Sequence, residues 1–211
     1  MIIKNLGSTA SSIVVNAVPL TPDRFLSFGG VISSREQLQS HSQIDANYGT
    51  ATKLVNVSPV ENHFAAAPSQ VPATLNWNLF RSSRPGGLAP VEQDEHQGKE
   101  KYEVLVLERH PFSTQTFLPM GISASENAAY IVIVAKSGED GWPDLNTTEA
   151  FVARGDQAVT YGSGTWHAPM VSLQPVTDFA VLIHENGVPN EDCEEVTIPS
   201  GSVTIHIGPV V

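Results

Sequence analysis

Two stretches of the chain carry side chains able to move protons near neutral pH. The first runs Glu108-Arg109-His110-Pro111-Phe112-Ser113-Thr114-Gln115 and stops at Pro119-Met120-Gly121. It sets a carboxylate, an imidazole and an amide at positions 108, 110 and 115. The second runs from Gly155 through Tyr161, turns on Gly162-Ser163-Gly164, and ends in Trp166-His167-Ala168-Pro169. Imidazole titrates close to physiological pH, so two such groups beside a carboxylate suit acid–base work. The two stretches read as opposing walls of one small-molecule pocket.

These residues need strands to hold them. Residues 102–107 form a run of strand-formers that delivers the first stretch. Residues 130–135 are apolar throughout, which predicts a strand buried on both faces. Shorter alternating or apolar runs at 53–57, 75–81, 151–153, 158–161, 179–183 and 203–207 extend the series, with Gly and Pro between them. Thr21-Pro22 followed by Gly29-Gly30 predicts one short helix. The stretch 33–50 is polar with few apolar anchors, and 92–101 is polar and flexible by composition. Residues 65–72 read as an exposed loop, and Asn146 with Glu149 offers a capping box. Many short strands without a long amphipathic helix predict an all-β antiparallel barrel or jelly roll.

The 211 residues, 41% hydrophobic and 16% charged, show no break in composition, which favours one domain over 1–211 with a loop insertion around 65–74. A formal charge of -11 repels nucleic acid and anionic membranes. An anionic ligand would need a local arginine. Apolar runs are too short to span a bilayer, and no signal-peptide pattern opens the chain. Cys193 is the lone cysteine, which suits a reducing compartment. Its acidic neighbours make it a poor nucleophile. The expected location is the cytoplasm.

The spacing of Glu108, His110, Gln115 and Gly121, with Gly155, Gly164 and His167 further on, resembles the two motifs of cupin barrels. Glu stands for the first motif's leading His and Gln for its Glu. A metal-binding cupin would coordinate through all four of Glu108, His110, Gln115 and His167. Two imidazoles, one carboxylate and one weak neutral amide make a poor ligand count. The expectation is therefore a site without tight metal and an enzyme without cofactor. More narrowly, Glu108-Arg109-His110-Pro111 with Thr114-Gln115, Pro143-Asp144-Leu145, Gly155-x-Gln157-x-Val159-x-Tyr161 and Trp166-His167-x-Pro169 resembles the ureidoglycolate lyase family. The resemblance spans most of the chain and is densest over 105–180. Ala168 departs from it, standing where members carry a second His.

That resemblance implies a cupin-like antiparallel β-barrel (a double-stranded β-helix or jelly roll) with one or two short helices. It also implies a homodimer that splits ureidoglycolate into glyoxylate and urea during allantoin (purine) breakdown. One carbon of this anionic substrate carries hydroxyl, carboxylate and a urea nitrogen. Cleavage calls for a base, an acid and a cationic anchor. His110 and His167 are the base and acid candidates in either order, with Glu108 orienting an imidazole or acting itself. Gln115 and Tyr161 are candidates for the urea amide, and Trp166 also belongs to the expected binding set. Arg81, Arg84 and Arg109 are candidate carboxylate anchors, Arg81 first. Other readings are an amidohydrolase releasing ammonia, a metal-dependent cupin of another reaction type, and a non-enzymatic ligand-binding cupin.

Overall fold

The computed structural model describes residues 2–7, 12–91 and 99–208. The fold is all-β and cupin-like. The polar stretch at 92–98, with His96, and the last three residues lie outside this description. An eight-stranded sheet is the middle layer, a five-stranded sheet covers one face of it, and a four-stranded sheet covers the other. Strands Gln43–Ala46 and Ala51–Leu54 make a separate hairpin.

The strand Tyr130–Ser137 shows why the layers stack this way. Side chains alternate across a strand. Tyr130, Val132 and Val134 face the five-stranded sheet and pack with Phe117, Val159, Tyr161, Phe179 and Val181. Ile131, Ile133 and Ala135 face the other way and pack with Val203, Ile205 and Ile207. An apolar run with no polar alternation is what a middle layer requires. Burying each Val or Ile of this run contributes about 1.5–3 kcal/mol.

Several expectations need correction. The run 102–107 is not one strand. Glu100–Glu103 belongs to the four-stranded sheet and Val106–Arg109 to the eight-stranded sheet. The chain crosses between layers at Val104, which is buried and donates its N–H to Val203, and Leu105, which is exposed. Asn146 does not cap a helix. Residues 145–148 bulge out of the strand Pro143–Ala153, with the Thr147 and Thr148 hydroxyls donating to the Asp144 and Leu145 carbonyls.

The expected helix is Pro22–Phe25, with the Thr21 hydroxyl accepting from Arg24 N–H. At its exit Gly29 (φ 147°) runs so close to the Thr160 carbonyl that a Cβ would lie 2.0 Å from its oxygen. Two further helices, Ser34–Ser40 and Pro189–Asp192, were not expected. The first had a signal in Ser33-x-x-Glu36-Gln37. Ser33 donates its hydroxyl to Glu36 and its N–H to Gln37 Oε1 at 2.8 Å. The loop before the strand Thr74–Ser83 is less exposed than its composition suggests, since Phe64 and Ala67 are buried.

Candidate active site

Both chemistry-bearing stretches turn the same corner between two sheets. The first leaves the middle sheet at Val106–Arg109 and enters the five-stranded sheet at Gln115–Met120. The second returns, from Ala158–Tyr161 to Trp166–His167. They are therefore adjacent strands, not opposing walls. Glu108 pairs with His167 in one sheet and Gln115 with Tyr161 in the other. Between these pairs Gly164 N–H donates to the His110 carbonyl and the Ser163 hydroxyl to that of Pro111. Paired residues share a face, so Glu108, His167, Gln115 and Tyr161 all point into the space between the two sheets.

The geometry is tight. His167 Nε2 lies 3.5 Å from Glu108 Oε1, too long for a good hydrogen bond. The rings of His110 and His167 are 5.5 Å apart, and Tyr161 stacks on His167 at 3.8 Å and 10°. The outer nitrogens are held by backbone. His110 Nδ1 donates to the Asp192 carbonyl at 2.6 Å, and His167 Nδ1 to that of Thr165 at 2.9 Å. Each bond fixes the Nδ1–H tautomer of the neutral ring, leaving Nε2 bare. Both Nε2 atoms, Gln115 Oε1 and the Tyr161 hydroxyl are buried without a hydrogen-bond partner. Buried polar atoms are rarely left so, and four on facing side chains make this corner the candidate binding point.

Charge follows from this packing. Burial works to raise the Glu108 pKa, but His167 and His110 outweigh it and hold the carboxyl below its ordinary range. Burial and the neighbouring His167 push His110 down, against the Asp192 carbonyl and Glu108. Burial, with Tyr130 and Glu108, raises Tyr161 well above the phenol range, so it stays a donor. Burial, with Glu108 and Glu195, lifts the Cys193 thiol to about 12. That thiol is no nucleophile.

One ligand atom each from Glu108, His110 and His167 lies within 4.8 Å of the other two, and Gln115 adds a bare carbonyl oxygen. Among the described residues, this donor set fits a divalent cation better than the ligand count suggests, because both imidazoles already offer lone pairs.

A family model described as ureidoglycolate lyase matches residues 12–206. A protein named ureidoglycolate lyase from Saccharomyces cerevisiae is 43% identical over 202 residues, covering 92% of this chain and all of the relative. One of the same name from Schizosaccharomyces pombe is 41% identical over 180 residues, covering 85% and 89%. A third, from Burkholderia mallei, is 32% identical over 181 residues, covering 86% and 87%. The chain belongs to the ureidoglycolate lyase family.

The remaining candidates from the ureidoglycolate lyase resemblance lie apart from the cluster. Arg81 sits on the strand Thr74–Ser83 in register with Asp178, on the face opposite Phe179 and Val181. It is exposed and pairs with Asp178 through two bonds of 2.8 Å. Arg84 is bound to the Leu173 carbonyl and Glu100. Arg109 points to the other side of the middle sheet, over the Trp166 ring, and bonds Glu194 and the Gly141 carbonyl. Trp166 is buried on that same side and donates to the Gly141 carbonyl. Period-two alternation separates Arg109 from Glu108, and Trp166 from His167. The carbonyls of Asp192 and Thr165 were missed, since a backbone partner leaves no trace in residue type.

Proposed function

We propose that this chain cleaves ureidoglycolate to glyoxylate and urea in allantoin breakdown. The observation that carries the reading is the buried cluster of Glu108, His110, Gln115, Tyr161 and His167, with four polar atoms awaiting partners. The cluster is rich in acceptors and accommodates one positive charge. That charge is a proton shared between His167 and Glu108, or a divalent cation held by Glu108, His110, His167 and Gln115. Such a cation would supply a charge for the substrate's hydroxyl and carboxylate oxygens.

The proton transfers belong to the first case, with no cation on either Nε2, and there the chain's own residues divide the work. His110, kept neutral by burial, takes the hydroxyl proton through bare Nε2. The oxygen's electron pair forms the new carbonyl as the carbon–nitrogen bond breaks. A proton delivered from His167, steadied by Glu108, reaches the leaving nitrogen and completes urea. Tyr161 donates to an oxygen of the substrate, and Gln115 holds the urea amide. The substrate carboxylate is met by the cluster's positive charge, in place of the arginine anchor expected from sequence.

We further propose that the chain acts as one cupin-like domain in a cytoplasmic homodimer. The single thiol suits a reducing compartment. Pairing is supported by the strand Thr74–Ser83, which ends its sheet and exposes Leu75, Trp77 and Leu79 on its outer face. Incubation with ureidoglycolate and assay of products tests the activity. Equal amounts of glyoxylate and urea are expected, and ammonia in place of urea would refute it.

A further inference from the structure

His110 is only as well placed as the carbonyl that holds it. That carbonyl belongs to Asp192, the last residue of the helix Pro189–Asp192. Four residues cannot sustain a helix by themselves, so the carbonyl's position must be set from outside. The Asp192 carboxylate accepts from Asn186 N–H at 2.7 Å and Gly187 N–H at 2.8 Å, which closes the turn locally. Glu191 does the long-range work. The residue is 7% exposed, and its carboxylate accepts from Ser69 N–H at 2.7 Å, the Ser69 hydroxyl at 2.6 Å and the Asn186 amide at 2.7 Å. Asn186 also donates to the Val71 carbonyl at 3.2 Å. Glu191 thus ties the short helix to the loop ahead of the strand Thr74–Ser83, over 120 residues away in sequence.

We propose that Glu191 is a positioning residue: through Ser69 it holds the Asp192 carbonyl that keeps His110 in the Nδ1–H tautomer with Nε2 free for chemistry. The consequence for turnover rests on the role given to His110 above; the consequence for the tautomer does not. Glu191 touches no reacting atom. Losing it leaves the cluster's composition intact but frees the helix, so His110 samples the other tautomer, whose Nε2 carries a proton and cannot act as base.

The test combines long-range proton–nitrogen NMR of the imidazoles at about pH 8, where an ordinary imidazole is neutral, with steady-state kinetics. The wild type should show His110 as the Nδ1–H tautomer. Glu191→Ala should show a mixture and lose about tenfold or more in kcat, the usual cost of losing a group that orients a functional histidine. KM should stay nearly unchanged. Glu191→Gln, which keeps an acceptor for Ser69, should recover most of both signals, and Ser69→Ala should give a smaller change in the same direction. A folded Glu191→Ala with an unchanged tautomer overturns the proposal, whatever its kcat. Should Glu191→Ala fail to fold, unchanged tautomer and kcat in both Glu191→Gln and Ser69→Ala overturn it. Should the wild type not turn over ureidoglycolate, the NMR comparison still decides.

Discussion

The proposed chemistry is carried by two imidazoles and a carboxylate, those of His110, His167 and Glu108. His110→Ala and His167→Ala should each lower kcat about a hundredfold or more, with circular dichroism unchanged. A divalent cation as the source of the charge would raise Tm in the wild type and not in His110→Ala, because only a complete donor set gains stability from the ligand; an unchanged wild-type Tm would leave the proton as that source. Acid should weaken the fold through two groups acting in the same direction. The Glu108 carboxyl is depressed when folded, so its contribution is complete above the ordinary value of 4.5 and fades as pH falls through the depressed one. His110 is held neutral by burial, so its contribution is complete above 6.5 and fades as pH falls below it. Urea midpoints should therefore fall from about pH 7.5 to about pH 4, and a rise would contradict the cluster as described. Arg81→Ala separates sequence from structure. The sequence predicts a higher KM through a lost carboxylate anchor. The exposed pair with Asp178 on the outer face predicts little change.

Elements were legible where a run of residues had one cause. Residues 130–135 announced a strand buried twice over, and the middle layer explains why. Ile133→Ala should cost about 2–5 kcal/mol in denaturant unfolding, as expected for a buried aliphatic next to well-packed neighbours. Spacing also singled out Glu108, His110, Gln115 and His167, and the fold brings all four to one corner, His110 in the turn just after its strand. Spacing did not give their relation. The stretches 108–121 and 155–169 read as opposite walls, but pairing of Glu108 with His167 and Gln115 with Tyr161 makes them neighbours around a corner. Residues 102–107 failed for a related reason. A strand pattern carries no mark of the point at which the chain leaves one sheet for another. The faces taken by Arg81 and Arg109 were illegible as well, because the face of a strand residue depends on parity within the folded register and not on residue type.

For the whole molecule, three layers place the cluster of Glu108, His110, Gln115, Tyr161 and His167 at a corner between two sheets, and the proposed dimer would use the exposed strand Thr74–Ser83. Light scattering at micromolar concentration should give the mass of a dimer. Leu79→Glu on that outer face should shift it toward the monomer, since an unpaired buried charge at an interface is costly. The proposed reaction is open to a single product assay. Purified protein and its His167→Ala variant, incubated with ureidoglycolate and assayed for glyoxylate, urea and ammonia, test it directly. The account predicts glyoxylate and urea in equal amounts from the wild type, little of either from His167→Ala, and no ammonia. Ammonia as the nitrogen product, or full turnover without His167, would contradict it.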